Sequence, residues 1–105
     1  MNKTETPGDI FRAKINLETS KIAWKELQRF FAGGVALMVS ADLDLVDVAF
    51  QMSEDNVEQI LQWAIAGRLA RVSDAQAREW TEADALVWAV VVSPWVLVQP
   101  VNRPH

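Results

Sequence analysis

The chain has 105 residues, half of them hydrophobic, and a formal net charge of −4 at pH 7. That size predicts a single domain with its own hydrophobic core. Because the chain has no cysteine, disulfides, thiolate metal sites and cysteine nucleophiles are excluded. The polar first 14 residues lack the apolar stretch of a secretory signal, so we expect a cytoplasmic protein.

Residues 1–14 predict a lead-in that is disordered or partly helical, because they are polar and contain the breaker pair Pro7-Gly8. The first helix is predicted over residues 17–32. Asn16 is its expected N-cap, and Gly33-Gly34 is a natural stop at its C-terminal end.

The middle of the chain begins with residues 35–40, a short apolar segment between turn residues that predicts a strand. Asp44 and Asp47 have the spacing of a capping box, which predicts a short helix from there to about Met52.

The next helix has the clearest periodicity in the chain, with Ser53 as its expected N-cap and Gly67 as the residue that ends it. Its apolar residues recur at i, i+3, i+4, i+7 and i+8, which predicts one face packed on the core. They are Val57, Ile60, Leu61, Ala64 and Ile65. Trp63 lies off the centre of that face.

Two weaker segments follow. Residues 69–72 predict a brief strand, and residues 74–83 predict a helical turn that Ser73 or Asp74 would cap.

The charge-free run ALVWAVVVSPWVLVQPV, at residues 85–101, contains seven valines and predicts the longest strand, buried on both faces. Pro94 marks an edge, a bulge or a bend in it. A tight hairpin at Ser93-Pro94 is not expected, because proline does not fit the primed turns. The run only reaches the lower limit of about 17 residues for a membrane span and is interrupted by Pro94, so no membrane association is predicted.

This element order predicts an α+β fold with a winged-helix-like arrangement: helix, strand, helix-turn-helix, and two C-terminal strands in a small antiparallel sheet. Residues 15–101 form the predicted domain and residues 102–105 a loose tail. Leu86–Val92 shows no alternation, so both faces of that strand need cover, from within the chain or from a second copy. We therefore expect self-association or a protein partner.

Three segments also resemble a family of small bacterial proteins known only as a domain of unknown function. They are ETSKIAWKELQRFFAGG, LDLVDVA and, most specifically, WAVVVSPWVLVQ. The resemblance covers about residues 15–99 and implies a bacterial cytosolic protein. It implies no activity, cofactor or catalytic residue.

Asp42, Asp44 and Asp47 form the one cluster that suggests a metal site, but helix capping explains them better, and the offsets of an EF-hand loop are not met. His105 is the only histidine, so neither a Ser-His-Asp nor a Cys-His arrangement is available. No catalytic, cofactor-binding or metal-binding residue is predicted, and the protein is not expected to be an enzyme.

We therefore predict a non-catalytic protein–protein interaction or adaptor module. Trp63 is the predicted contact residue, since tryptophan is enriched among interface anchors; the alternative is a flank residue half covered by the wing. A second hypothesis is a transcription-associated nucleic-acid-binding winged helix.

That hypothesis would use Arg68, Arg71 and Arg78 as phosphate contacts. However, no lysine or arginine occurs between Phe30 and Gly67, and the expected recognition helix is acidic. This charge distribution argues against nucleic acid as the partner. A third hypothesis is an enzyme whose carboxylate-based site is not visible in the sequence.

Overall fold

The structure is a computed structural model and describes residues 6–101. Its elements, in chain order, are α1 (Pro7–Glu18), β1 (Ser20–Ala23), a 3₁₀ helix η1 (Trp24–Leu27), α2 (Gln28–Ala32), β2 (Ala36–Val39), α3 (Leu45–Ser53), α4 (Val57–Ile65), β3 (Leu69–Arg71), α5 (Asp74–Glu82), β4 (Leu86–Val92) and β5 (Trp95–Pro100).

The five strands within residues 6–101 form one sheet in the order β1-β4-β5-β2-β3. Neighbouring strands are antiparallel except β2 and β5, which are parallel. The charge-free run thus supplies β5, the central strand, and β4 beside it. Val96, Leu97 and Val98 of β5 are buried, so this strand is covered on both faces, as predicted for the charge-free run. The prediction that both faces of Leu86–Val92 are covered is wrong, because Leu86, Trp88 and Val91 of β4 are exposed.

One face of the sheet packs against η1, α2 and α5. Since side chains alternate between the faces of a strand, Val96 and Val98 of β5 point to this side. They belong to a buried cluster with Trp24 and Trp80, whose ring centroids are 5.0 Å apart. Trp24 is only 1% exposed, so the two tryptophans form the centre of this half of the core.

The opposite face packs against α1, α3 and α4. Leu97 of β5 and Val39 of β2 point to this side, where they pack with Val48 of α3 and Ile15 of α1. Cover for the second face of β5 therefore comes from within the chain.

The α+β class predicted from the sequence is confirmed. The helix-turn-helix pair α3–α4 and the C-terminal antiparallel strands are present. A winged-helix-like arrangement is not confirmed, because the sheet has five strands, includes a parallel pair and carries helices on both faces.

The predicted helix over residues 17–32 is wrong in its first part: only residues 24–32 are helical, as η1 and α2, and they end at Gly33-Gly34 as predicted. α1 starts at Pro7, where Thr6 and Asp9 form a reciprocal capping box, and it ends at Glu18. Ser20–Ala23 then pairs with β4 as an edge strand. Pairing with the sheet and burial of Trp24 outweigh the helical periodicity, which is a local preference. The first five residues of the predicted lead-in and the predicted tail, residues 102–105, lie outside the described residues.

Two further predictions are wrong. Ser53 does not cap α4: it is the last residue of α3, and the side chain of Asn56 accepts the capping hydrogen bond from the Gln59 N–H. The charge-free run is not one bent strand but two strands joined by a tight hairpin at Ser93-Pro94, where the peptide bond is cis. Proline in the cis form fits a type VI turn, which is a different class from the primed turns.

The remaining element predictions are confirmed. β2 and β3 lie within the predicted segments, Asp44 caps α3, and Ser73 caps a helix that is longer than the expected single turn. Gly67 follows α4 with a φ of 77°, the left-handed conformation that glycine adopts at little cost.

The core assignment predicts a contrast between two leucines of the sheet. Leu97 is fully buried and Leu86 is 52% exposed. Leu97→Ala should lower the free energy of unfolding by about 2–5 kcal/mol, and the matched control Leu86→Ala by less than about 1 kcal/mol. Urea unfolding followed by tryptophan fluorescence measures both. Equal losses would contradict the assignment of the central strand.

Candidate interaction surface

Helix α4 is a nine-residue helix, fixed at both ends by local structure. Before it, Asp55 adopts a φ of 56° and Asn56 provides the N-cap. After it, Gly67 reverses the chain into β3. The Arg68 N–H donates to the Trp63 carbonyl oxygen across this turn, at 2.8 Å. These ends set where α4 begins and stops, and its rotation about its own axis follows from the side chains that it packs on the core.

That rotation directs Ile60 and Trp63 towards the sheet, where both are half-buried against the cluster that contains Val39 and Leu97. No residue of α4 is fully buried. The helix therefore rests on the core through two side chains.

The other large apolar side chains of α4 face outwards. Val57 is 63% exposed, Leu61 is 54% exposed and Ile65 is 84% exposed. They are spaced by four residues and so lie side by side on one face of the helix. We call these three residues the outer stripe. The prediction that they pack on the core is wrong.

The reason lies in the width of the apolar surface. At about 100° per residue, the positions from Trp63 through Ile60 to Ile65 cover more than half of the circumference of the helix. The sheet covers one part of that arc. Burial of the large Trp63 ring gains more free energy than burial of an aliphatic side chain, so Trp63 takes the inner position and the outer stripe is left exposed.

A groove of about 350 Å³ lies between α4 and the turn of the β4–β5 hairpin. Val57 and Leu61 of the outer stripe form one side of it, and Pro94 and Trp95 form part of the other. The remaining lining residues are Met52, Asp55, Ile60, Val92 and Ser93. The outer stripe therefore continues into a mainly apolar groove.

Charges are distributed unequally along α4. Glu54, Asp55 and Glu58 are exposed before the helix or in its first turn. The first basic residue after the helix is Arg68, also exposed, whose guanidinium lies 3.4 Å from the Asp42 carboxylate. One end of the surface is therefore acidic, and the other carries the ion pair of Arg68 and Asp42.

The three aspartates of the candidate metal cluster have separate structural roles. Asp44 accepts the capping hydrogen bonds of α3. Asp47 accepts a side-chain hydrogen bond from the Arg12 guanidinium, at 2.7 Å. The Ser40 hydroxyl donates to Asp42. That hydrogen bond, with a smaller contribution from Arg68, lowers the pKa of Asp42 against the opposing effect of partial desolvation. In residues 6–101 no group of three acidic or histidine side chains is arranged to hold a metal ion.

The three arginines of the nucleic-acid hypothesis line two different cavities. Arg68 and Arg71 line a cavity of about 460 Å³ beside Ser73 and Gln76. Arg78 lines a different one, next to Trp24. Binding of nucleic acid through them stays a prediction. His105 lies outside the described residues.

The exposure of the outer stripe was not predicted, although the sequence contains a signal for it. Trp63, the predicted contact residue, packs on the core with one part of its ring system still accessible; its role as a contact stays a prediction. Its position off the centre of the apolar face shows that α4 carries more apolar residues than a one-sided helix needs.

Among residues 6–101, no helix has both the length and the apolar character needed to cross a membrane.

Comparisons with known proteins give a family but no activity. A family model described as a protein of unknown function (DUF2288) matches residues 10–100. The NMR solution structure of PA1075 from Pseudomonas aeruginosa is 41% identical in sequence to this chain, with a TM-score of 0.79. The match covers 98% of this chain and 94% of that one. No curated protein matches the chain.

The hydrogen bond from Ser40 predicts a measurable effect on Asp42. In Ser40→Ala the pKa of Asp42 should rise towards its ordinary value, because the lost hydrogen bond stabilises the ionised carboxylate. An NMR pH titration of the Asp42 side-chain carboxyl measures it. Ser73→Ala, which removes a serine in another loop, should leave the pKa of Asp42 unchanged; an unchanged pKa in Ser40→Ala would refute the assignment.

Proposed function

The chain belongs to the DUF2288 family of proteins of unknown function, and we propose that it works as a non-catalytic protein–protein interaction module. Its contact surface is the outer stripe of α4 together with the adjoining groove. The observation that carries this proposal is the exposure of Val57, Leu61 and Ile65 on one helix face.

Single exposed apolar residues are common on protein surfaces, but contiguous apolar patches are characteristic of interaction sites. The outer stripe is contiguous, because residues four apart on a helix are neighbours. It also borders a concave apolar groove that includes Pro94 and Trp95. A convex stripe beside a groove offers a partner both a ridge to pack against and a pocket to fill.

The exposed apolar side chains of β4 are divided between the two faces of the sheet. Leu86 and Val91 are 52% and 63% exposed, but they point to opposite faces, because side chains alternate along a strand. Trp88 shares a face with Leu86, and the Lys21 ammonium lies over its ring, 5.2 Å from the centroid. None of these apolar residues lines the groove beside α4.

The exposed apolar side chains of α1 are also separated. Ile10 and Leu17 are 58% and 86% exposed, but the exposed Lys14 lies between them on the same side of the helix. The Phe11 ring packs near that of Phe50, with a centroid distance of 6.3 Å. The outer stripe is therefore a more continuous apolar surface than either α1 or β4 offers.

The acidic residues of the central segment support an interaction role more than a catalytic one. Asp44 holds the start of α3, and Asp47 ties α3 to Arg12 of α1. Both carboxylates thereby have structural partners. The exposed Glu54 and Glu58 border the apolar surface, as polar rim residues do in protein interfaces.

The proposal predicts a position-specific cross-link in cells. A photo-crosslinking amino acid in place of Leu61 should yield a discrete adduct of higher mass, because that side chain lies in the contact surface. The same amino acid in place of Glu79, an exposed residue of α5, should yield none. Denaturing gels and mass spectrometry of the adduct provide the readout.

Cross-linking at position 61 should also disappear when a second substitution, Val57→Lys, places a charge in the same surface. Absence of any adduct at position 61, or equal adducts at positions 61 and 79, would contradict the proposal. An adduct with nucleic acid instead of protein would support the hypothesis based on Arg68, Arg71 and Arg78.

A further inference from the structure

We propose that the partner covering the outer stripe is a second copy of this chain, with the two α4 helices packed antiparallel about a two-fold axis that passes by Leu61. This inference rests on the proposed function, since it names the occupant of the same surface. Three properties of α4 support it: the symmetry of the stripe, its charge distribution, and the groove at one end.

The outer stripe is symmetric about its centre. Val57 and Ile65 lie four residues before and after Leu61, and all three are exposed aliphatic residues. In a two-fold dimer the same patch meets itself. Antiparallel packing then places Leu61 against Leu61 of the second copy and Val57 against its Ile65, so that every apolar residue of the stripe meets another.

The charges select the antiparallel direction. Each helix is acidic at its start, where Glu54 and Glu58 lie, and the exposed Arg68 follows its end. Antiparallel packing keeps the two acidic ends apart and brings each of them to the end of the other copy where Arg68 forms an ion pair with Asp42. Parallel packing would place the acidic ends side by side, where like charges repel. The dipoles of two antiparallel helices are also favourably arranged.

The groove accounts for the most exposed residue of the stripe. Ile65, at 84% exposure, meets Val57 of the second copy in this arrangement. Val57 is itself a wall of the groove that includes Pro94. Ile65 of each copy is thereby directed to the mouth of the groove of the other, which extends the contact beyond the two helices.

The absence of cysteine from the chain permits a clean test with single-cysteine variants. A disulfide needs Cα atoms within about 7 Å. In the proposed dimer, position 61 lies next to its own copy, so Leu61→Cys should cross-link with itself. Each position 57 lies four residues from Leu61, on opposite sides of the two-fold axis. At about 1.5 Å per residue the two positions are about 12 Å apart along the helices, so Val57→Cys alone should not cross-link with itself.

A mixture of Val57→Cys and Ile65→Cys should form a mixed disulfide, because these two positions face each other. Cross-linking of Leu61→Cys under mild oxidation should be more than about tenfold faster than that of Glu79→Cys, since a preformed pair has an effective concentration in the millimolar range. Non-reducing gels at micromolar protein measure these rates. Circular dichroism should show that all four exposed-site variants are folded.

Each result supports or overturns the dimer. Self-cross-linking of Val57→Cys and Ile65→Cys at the rate of Leu61→Cys would overturn the antiparallel arrangement. Rates equal to that of Glu79→Cys at all positions would overturn the dimer itself. In that second case, a cellular photo-adduct at position 61 with a different protein would leave the proposed function standing, whereas its absence would remove both.

Discussion

The fold depends on burying β5, the second strand of the charge-free run, on both faces. The run folds back at Ser93-Pro94 into β4 and β5, so the chain places its most apolar segment in the interior of the sheet. Val96 and Val98 face η1, α2 and α5, whereas Leu97 between them faces α1, α3 and α4. β5 is thus covered on both faces by two layers of helices, whereas β4 keeps Leu86, Trp88 and Val91 exposed.

This constraint also explains why α4 is incompletely buried. The central strands are covered by α3 and α1 on one side and by Trp24 and Trp80 on the other. α4 packs instead towards β3, an edge strand of three residues in which only Leu69 is buried. So short an edge offers little surface, and Ile60 and Trp63 are enough to cover it. The other large apolar residues of α4 are left exposed.

Much of the architecture was predictable from the sequence, because it depends on local signals. Local sequence patterns determine these features: Asp44 precedes an apolar helix, Gly67 follows one, and β2 and β3 are short apolar segments. The N-terminal third was not predictable in this way. Its helical periodicity around Trp24 is real, but Ser20–Ala23 pairs with β4, near the other end of the chain, and such pairing leaves no local signal.

The candidate surface was predictable only in part. The periodicity identified α4 and its extra apolar residue Trp63. Which part of the apolar arc faces the sheet depends on how α3 and β3 position the helix.

The most direct test of the outer stripe as a contact between two copies is a dilution series of ¹H–¹⁵N NMR spectra of the unmodified chain. Amide signals of α4 and of the hairpin turn around Ser93 should shift with protein concentration, because both border the proposed contact, while those of α5 stay constant. Concentration-dependent shifts confined to α5, or no shifts together with the rotational correlation time of an 11.8 kDa monomer, would contradict it.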